Sequence, residues 1–213
     1  MEQIIDKVAN LISEKNEKII IGISGHGASG KTTFANTLVK RLENDVNYIN
    51  TDPYIITDVR KYTVIDYEYK NEKYSYKMTA CHPAAHNLLA LERDIKMIGA
   101  NLDFHTIETH YMESTLISSK KNINIVEGMS VVFLNPNLFD LTVYLYTDGE
   151  TELIRRGVRD VSERMADFNS IKKSHEQRRI QYDLFMHPYH KNFDIVIKNS
   201  NEESILQKCV YGN

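Results

Sequence analysis

Short apolar runs separated by segments of helical periodicity dominate the chain. Five runs are nearly continuous: KIIIGIS (18–24), VNYIN (46–50), NINIVEG (122–128), LTVYLYT (141–147) and FDIVIKN (193–199). Strands covered on both faces have this pattern, which is typical of a parallel sheet. The intervening segments repeat apolar residues every three or four positions and predict helices. The pattern therefore predicts an α/β fold, a doubly wound, mostly parallel five-stranded sheet with flanking helices, as a single domain over 1–213.

Two segments depart from this alternation. Residues 54–80 hold six of the thirteen tyrosines, and YTVIDYEYKNEKYSYKM alternates around the turn-like KNEK. We predict a small β-hairpin insertion there, on the side where an acceptor would bind. A helix is expected from Pro83 to Gly99. Between the last two strands, residues 150–175 are helical and rich in arginine, and we predict that they form a lid.

Composition excludes few classes of protein. The 213 residues carry a net charge of −3, which shows no bias toward nucleic acid or a membrane surface. The two cysteines, Cys81 and Cys209, do not form a disulfide framework or a zinc pattern. No apolar run reaches the length of a membrane span, and the N-terminus carries acids throughout. We expect a cytoplasmic protein without nucleic-acid or membrane partners, and homo-oligomerisation stays open.

The stretch GHGASGKTTF (25–34) lies between a predicted strand and a predicted helix. It satisfies G-x-x-x-x-G-K-S/T, the P-loop. Its glycines let successive N–H groups point into one concavity, and the following helix adds its positive dipole end. Lys31 is predicted to reach the outer phosphates, and Thr32 to bind Mg²⁺. The residues predicted to bind the ATP phosphates are Gly25, Gly27, Ala28, Ser29, Gly30, Lys31, Thr32 and Thr33.

Two acids end predicted strands on the edge that carries this loop. Asp52 follows the second strand, and Glu127 ends the third. At this edge, parallel-sheet folds place groups that face the ligand. Asp52 could accept a hydroxyl proton or hold a metal-bound water, and Glu127 could orient Mg²⁺. The alternatives are that Asp52-Pro53 only starts a turn and that Glu127 is a solvated surface acid.

Four arginines follow the fourth strand: Arg155, Arg156, Arg159 and Arg164. Residues three and four apart on a helix are neighbours, so the spacing predicts that the first three guanidinium groups cluster. As part of a lid, they would neutralise charge on a transferring phosphoryl group and exclude water. The alternative is a solvated helix face paired with nearby acids such as Asp160.

Several stretches together resemble the uridine kinase and phosphoribulokinase group of P-loop kinases along most of the chain. They are GISGHGASGKTTFAN, TDPY, CHPAAHN, IVEGM, DLTVYLYTDGETELIRRGVRDVSER and FMHPYHKNFDIVIKN. The resemblance implies the use of ATP and Mg²⁺ and makes Asp52 the general base. It implies phosphate and Mg²⁺ contacts for Lys31, Thr32 and Glu127. It further implies lid contacts for Arg156, Arg159 and Arg164.

The chain also departs from this family. Uridine kinases usually read F-D-H-P where this chain reads A-C-H-P, so Cys81 replaces an acid that grips the ribose hydroxyls. DFHTIETHY stands where they usually carry P-x-Y-D before a histidine that touches the base, and His110 could keep that histidine's place. The residues predicted to line the acceptor pocket are Tyr54, Arg60, Cys81, His82 and His110. The alternative for Tyr54 is that it packs within the half-buried hairpin and does not contact an acceptor. His82 could instead share a metal with His86 or cap a helix.

The chain is therefore predicted to phosphorylate a hydroxyl group of a small molecule with ATP. A nucleoside, a sugar phosphate or a vitamin-like alcohol would suit as acceptor. The catalytic residues would be Lys31, Asp52, Arg156, Arg159 and Arg164, with Mg²⁺ on Thr32, Glu127 and Asp52. The alternative is a regulator that binds a nucleotide without transferring phosphate. No N-K-x-D guanine reader and no L-S-G-G-Q-like signature occurs, which disfavours a switch GTPase and a transporter ATPase.

Overall fold

A computed structural model describes residues 1–15, 17–42, 46–164, 167–201 and 203–210, with the backbone alone for 162–164. The strands of the central sheet are β1 Ile19–Gly25, β2 Val46–Asn50, β7 Ile123–Glu127, β8 Leu141–Tyr146, β9 Ile195–Ser200 and β10 Glu203–Cys209. Their order is β10-β9-β8-β1-β7-β2. All neighbouring pairs are parallel except β10 with β9. The predicted fold class and all five predicted strands are confirmed.

The central sheet has a sixth strand, which the sequence pattern did not predict. In the part of the chain that the structure describes, β10 adds an antiparallel edge to the sheet. Its residues alternate between exposed and half-buried positions, so it lacks the continuous apolar run of a central strand. Polar alternation is what an edge strand open to solvent on one face requires.

Helices cover both faces of the sheet. They are α1 Glu2–Ser13, α2 Lys31–Leu42, α3 Thr57–Tyr62, α4 Leu88–Gly99, α5 Gly149–Arg164 and α6 Phe168–Phe185. One apolar core lies between the sheet and α1 and α2, where Ile21 and Leu38 are fully buried. A second lies under α4, around Leu91 and Ile95. Burial on both faces explains why the strands read as continuous apolar runs.

The helix predicted from Pro83 begins later than expected. Pro83–Ala85 forms a separate 3₁₀ turn, and α4 starts at Leu88 after Asn87, whose side chain accepts a hydrogen bond from the Ala90 N–H at 3.3 Å. Asparagine is a strong N-cap residue, and this cap sets the start of α4. The sequence prediction relied on the proline at position 83 instead.

The tyrosine-rich hairpin consists of β3 Val64–Tyr69 and β4 Glu72–Lys77, joined at Lys70 and Asn71, which both have positive φ. It is shorter than the predicted 54–80, because a 3₁₀ turn at Asp52–Tyr54 and α3 precede it. The hairpin packs on α6. The Tyr67 hydroxyl donates to Gln177 Oε1 at 2.6 Å. At the end of β4, the Thr79 N–H donates to Gln181 Oε1 at 2.8 Å.

The chain between α4 and β7 forms a small antiparallel ladder of β5 Phe104–His105 and β6 Leu116–Ile117. Two further 3₁₀ turns, Met129–Phe133 and Pro136–Leu138, link β7 to β8, and His187–Asn192 leads into β9. Within the described ranges, none of the helices combines the length and apolar character that crossing a bilayer demands.

Candidate active site

The loop from β1 to α2 has a backbone that depends on its glycines. Gly25 has φ of 154° and Gly30 has φ of 93°, both in the region that favours glycine. A Cβ on Gly25 would collide with the Leu145 carbonyl oxygen, and one on Gly30 with the Asn199 side chain. Ser29 has a buried hydroxyl oxygen with no hydrogen-bond partner among the described residues. The loop therefore has the conformation and a spare polar group that a phosphate site needs.

Lys31 and Thr32 open α2 and meet the acid at the end of β7. Lys31 Nζ lies 3.7 Å from Glu127 Oε1, and the Thr32 hydroxyl donates to the same oxygen at 3.2 Å. Glu127 is 1% exposed and also accepts from the Tyr48 hydroxyl at 2.8 Å. Burial, and then the charge of Glu127, raises the pKa of Tyr48 well above its ordinary value, so this hydroxyl remains a donor. The alternative that Glu127 is a solvated surface acid is wrong.

Asp52 lies at the same edge of the sheet. The parallel register pairs Asn50 of β2 with Glu127 of β7, so the chain leaves both strands side by side. Asp52 then starts its 3₁₀ turn, and its N–H donates to Asn50 Oδ1 at 2.8 Å. Within the described ranges its carboxylate makes neither a hydrogen bond nor an ion pair, and it lines the cleft next to the P-loop. It therefore starts a turn and also presents a free base to the cleft.

Arg156 of α5 lies directly on the P-loop. Its Nη2 donates to Glu152 Oε1 at 2.6 Å and approaches the Gly27 carbonyl oxygen at 3.5 Å. A Cβ on Gly27 would come within 2.6 Å of the same guanidinium nitrogen. The Arg156 Nε is buried and has no hydrogen-bond partner among the described residues. Arg156 therefore brings a positive charge onto the P-loop and keeps one buried donor unsatisfied among the described residues.

Glu152 holds a buried network beneath Arg156. The residue is 3% exposed, and its Oε2 accepts from Arg179 Nη1 at 3.0 Å and lies 3.6 Å from His26 Nδ1. Burial alone would raise the pKa of Glu152, but His26, Arg156 and Arg179 outweigh it and lower the pKa to about 2. The carboxylate is therefore ionised across the physiological pH range.

His26 is the neutral member of this network. Its Nε2 accepts from the Thr147 N–H at 3.0 Å, and its Nδ1 lies 2.9 Å from the Gly27 carbonyl oxygen. These contacts indicate the tautomer that carries its proton on Nδ1. Burial lowers the pKa of His26 to about 4 despite the opposing effect of Glu152. The first variable position of the P-loop thus ties the loop to α5 and to the end of β8.

The remaining predicted arginines do not all face the cleft. Arg159 lines it and pairs with Asp160 at 2.8 Å. Arg155 instead donates to the carbonyl oxygens of Asn199 and Asn201, at 2.9 and 3.0 Å, so the prediction that it clusters with Arg156 and Arg159 is wrong. Successive residues on a helix point about 100° apart, which separates Arg155 from Arg156. The side chain of Arg164 lies outside the described part of the chain.

The cleft has a volume of about 430 Å³ and lies between the P-loop, α3, the end of β4, α5 and α6. Of the predicted acceptor residues, Arg60 and Cys81 line it. Cys81 is buried, and burial raises the pKa of its thiol to about 12. A neutral thiol therefore faces the cleft where the resemblance would place an acid.

The structure gives Tyr54, His82 and His110 other contacts, and their role as acceptor residues stays a prediction. Tyr54 is 1% exposed in the core under α4, and its hydroxyl donates to Asp94 Oδ2 at 2.5 Å. His82 packs on the Phe185 ring and accepts from the Ala84 N–H at 3.2 Å. His110 is exposed, stacked edge-on against Tyr111. None of the three is among the described residues that line the cleft.

Three residues of the site escaped sequence reasoning: His26, Glu152 and Arg178. Glu152 stands four residues before Arg156, a spacing that favours an ion pair on a helix and could have identified it. Arg178 and its neighbour Arg179 form a second arginine pair, in EQRRIQY, just beyond the segment 150–175 that was predicted as a lid. No signal in the sequence distinguishes His26 from any other residue at a variable P-loop position.

The chain is similar to known proteins in both sequence and structure. The model of the Phosphoribulokinase / Uridine kinase family matches residues 20–205. The uridine kinase of Vibrio vulnificus (strain YJ016) is 29% identical over 203 residues, covering 91% of this chain and 93% of that protein. The phosphoribulokinase from Rhodobacter spheroides has a TM-score of 0.60 at 15% identity, covering 86% of this chain and 71% of that one. The D-glycerate 3-kinase from Cryptococcus neoformans var. grubii has a TM-score of 0.58 at 10% identity, covering 95% and 99%.

Proposed function

Since the chain belongs to the phosphoribulokinase/uridine kinase family and is a small-molecule kinase, we propose that Asp52, Lys31 and the arginines of α5 carry its phosphoryl transfer. This assignment rests on the Asp52 carboxylate, which has no hydrogen-bond or ion-pair partner among the described residues and lines the same cleft as Lys31 and Arg156. A base without a competing partner can accept the proton of an acceptor hydroxyl group.

ATP is the proposed donor, with its phosphates on the loop of residues 25–33. The hydroxyl oxygen of the acceptor forms a bond to the γ-phosphorus as the bond to the β,γ-bridging oxygen breaks, and ADP leaves with that electron pair. Asp52 takes the hydroxyl proton. Lys31, Arg156 and Arg159 stabilise the negative charge that spreads over the phosphoryl oxygens.

The donor set beside Lys31 fits Mg²⁺. The Thr32 hydroxyl and the Glu127 carboxylate lie 3.2 Å apart, and both supply the oxygen ligands that Mg²⁺ prefers. When bound, Mg²⁺ supplies positive charge against the phosphate oxygens. We assign Asp52 to the proton rather than to the metal, since its carboxylate lines the cleft without a hydrogen bond or ion pair to a described residue.

The acceptor is proposed to be a small molecule with a hydroxyl group. The acceptor would be identified by measuring ATP consumption in the presence of each compound of a panel. The panel consists of nucleosides including uridine, sugar phosphates, pantothenate and vitamin-like alcohols. Binding of ATP with no stimulation by any compound of a broad panel would contradict transfer and support a regulatory role.

Asp52→Asn tests the assignment of the base. We expect turnover to fall by about 10² to 10⁴, the usual share of a general base, with the dissociation constant of ATP changed less than about threefold. Asp58→Asn is the matched control, because Asp58 is exposed on α3 and does not line the cleft. If Asp52→Asn retained turnover within a few-fold of the wild type, another group would be the base.

A further inference from the structure

The cations of the cleft fall into two groups. Seven basic residues line it against three acids. Three of the seven are already paired: Lys31 with Glu127, Arg156 with Glu152, and Arg159 with Asp160. These three sit at or over the P-loop, where the nucleotide phosphates are proposed to bind. The other four, Arg60, Lys61, Lys77 and Arg178, lie on α3, β4 and α6.

Arg178 and Arg60 are half-buried, whereas Lys61 and Lys77 are exposed. Across the described residues, neither Arg178 nor Arg60 makes a side-chain hydrogen bond or an ion pair. Burial, and then the nearby charges of Arg156 and Arg60, lower the pKa of the Arg178 guanidinium group. Asp160 acts in the opposite direction, but its carboxylate is engaged by Arg159. Two guanidinium groups therefore face one cavity without a hydrogen bond or ion pair to any described side chain.

Holding two guanidinium groups in this cavity costs free energy unless an anion binds there. Like charges in a partly buried site repel one another, and a half-buried guanidinium group has lost part of its hydration. An oxyanion would remove both penalties, because guanidinium groups bind phosphate and carboxylate oxygens with paired, charge-assisted hydrogen bonds.

The uncharged side chains that line the cleft also disfavour a nucleobase as part of the acceptor. None of the described residues that line it is aromatic. A nucleobase is usually held by stacking on aromatic rings as well as by hydrogen bonds. The cleft instead offers Ile55, Met78 and Met129, apolar side chains that suit a short carbon skeleton.

We propose that Arg178 and Arg60 form a subsite for an oxyanion, a phosphate or a carboxylate, carried by the acceptor itself. This inference rests on the proposed function, since the acceptor hydroxyl must lie near Asp52 while the anion lies on the two arginines. Lys77 and Lys61 at the rim add attraction for an anionic molecule entering the cleft. The kinase would therefore act on an anionic hydroxy compound rather than a neutral nucleoside.

Matched pairs of acceptors test the proposal and separate the two anions. A pentose 5-phosphate with its free pentose tests the phosphate, and pantothenate with pantothenol and glycerate with glycerol test the carboxylate, with uridine beside them. We expect kcat/KM to be at least about 100-fold higher for the anionic member of one pair. Turnover of uridine or of neutral members alone would overturn the subsite and leave the kinase assignment intact. No turnover of any compound would count against the proposed function itself.

Variants then locate the subsite. Arg178→Gln and Arg60→Gln should each raise KM for the anionic acceptor about 10- to 100-fold, the usual loss for a charge-assisted hydrogen bond, and leave KM for ATP within about twofold. Lys172→Gln removes one charge from an exposed position on α6 and is the control. An equal rise in KM for ATP would assign Arg178 to the nucleotide and overturn the proposal.

Inorganic phosphate provides a readout independent of turnover. With a non-hydrolysable ATP analogue saturating the P-loop, phosphate should raise the Tm of the wild type and of Lys172→Gln. It should have little effect on Arg178→Lys, which keeps the charge but loses the paired donors. A wild type whose Tm responds neither to phosphate nor to acetate under these conditions would refute the subsite.

Discussion

Replacing Glu152 by glutamine should destabilise the protein far more than its position in a charged helix suggests. The three partners of Glu152 lower its pKa from an ordinary value of 4.5 to about 2. Because each unit corresponds to 1.36 kcal/mol, the shift is worth roughly 3 kcal/mol, which is an upper bound near neutral pH, where His26 is uncharged. Glutamine keeps the shape and part of the hydrogen bonding but leaves Arg156 and Arg179 without a counter-charge. We expect a loss of about 2–3 kcal/mol.

Thermal unfolding would measure this loss, and the Tm of Glu152→Gln should fall by roughly 4–12 °C in a protein of this size. Glu150→Gln is the control, since Glu150 is exposed in the first turn of the same helix. The difference from wild type should also shrink as the pH falls from about 4.5 towards 2. A carboxylate with a depressed pKa stabilises the fold above its unfolded-state pKa, and this contribution disappears as it becomes protonated in the folded state. Equal stabilities of the two variants near neutral pH would refute the network.

Two further predictions concern buried polar groups that do not line the cleft. Tyr54→Phe should cost about 1–3 kcal/mol, because the buried Asp94 carboxylate loses a donor, whereas Tyr62→Phe, at a side chain that is 71% exposed, should cost almost nothing. Urea unfolding of both would show this, and an unchanged stability of Tyr54→Phe would contradict it. Burial lowers the pKa of His86 to about 4, so the unfolded chain takes up its proton first, and stability should fall between pH 6.5 and 4 by up to about 1.4 kcal/mol per pH unit. Unfolding at pH 7, 6 and 5 should give a shallower dependence for His86→Gln; identical slopes would exclude His86 as the source.

The fold was predictable where burial leaves a simple pattern. Strands β1, β7 and β8 are buried on both faces along nearly their whole length, and the P-loop has a spacing that few other structures require. The sixth strand, β10, escaped because an edge strand with half-exposed residues shares its alternation with many loops. The boundary at Asn87 was missed since Pro83 is an equally ordinary place for a helix to begin.

The acceptor side of the site was predictable only in part. Arg60 and Cys81 line the cleft, but Tyr54 is held by Asp94, a partner forty residues away that no local pattern reveals. His110 was placed by resemblance alone, in a segment where the chain departs from the family. Glu152 and Arg178 matter because three elements converge on them, and such convergence is a tertiary property.

Helix α6 joins parts of the molecule that are otherwise separate. Gln177 and Gln181 hold the β3–β4 hairpin, while Arg179, on the same helix, reaches Glu152 beside the P-loop. A shift of this helix would displace the hairpin wall and the support of Arg156 together. We therefore expect α6 to couple the nucleotide site and the acceptor site. Binding at either site should change the affinity for the ligand of the other site by the same factor.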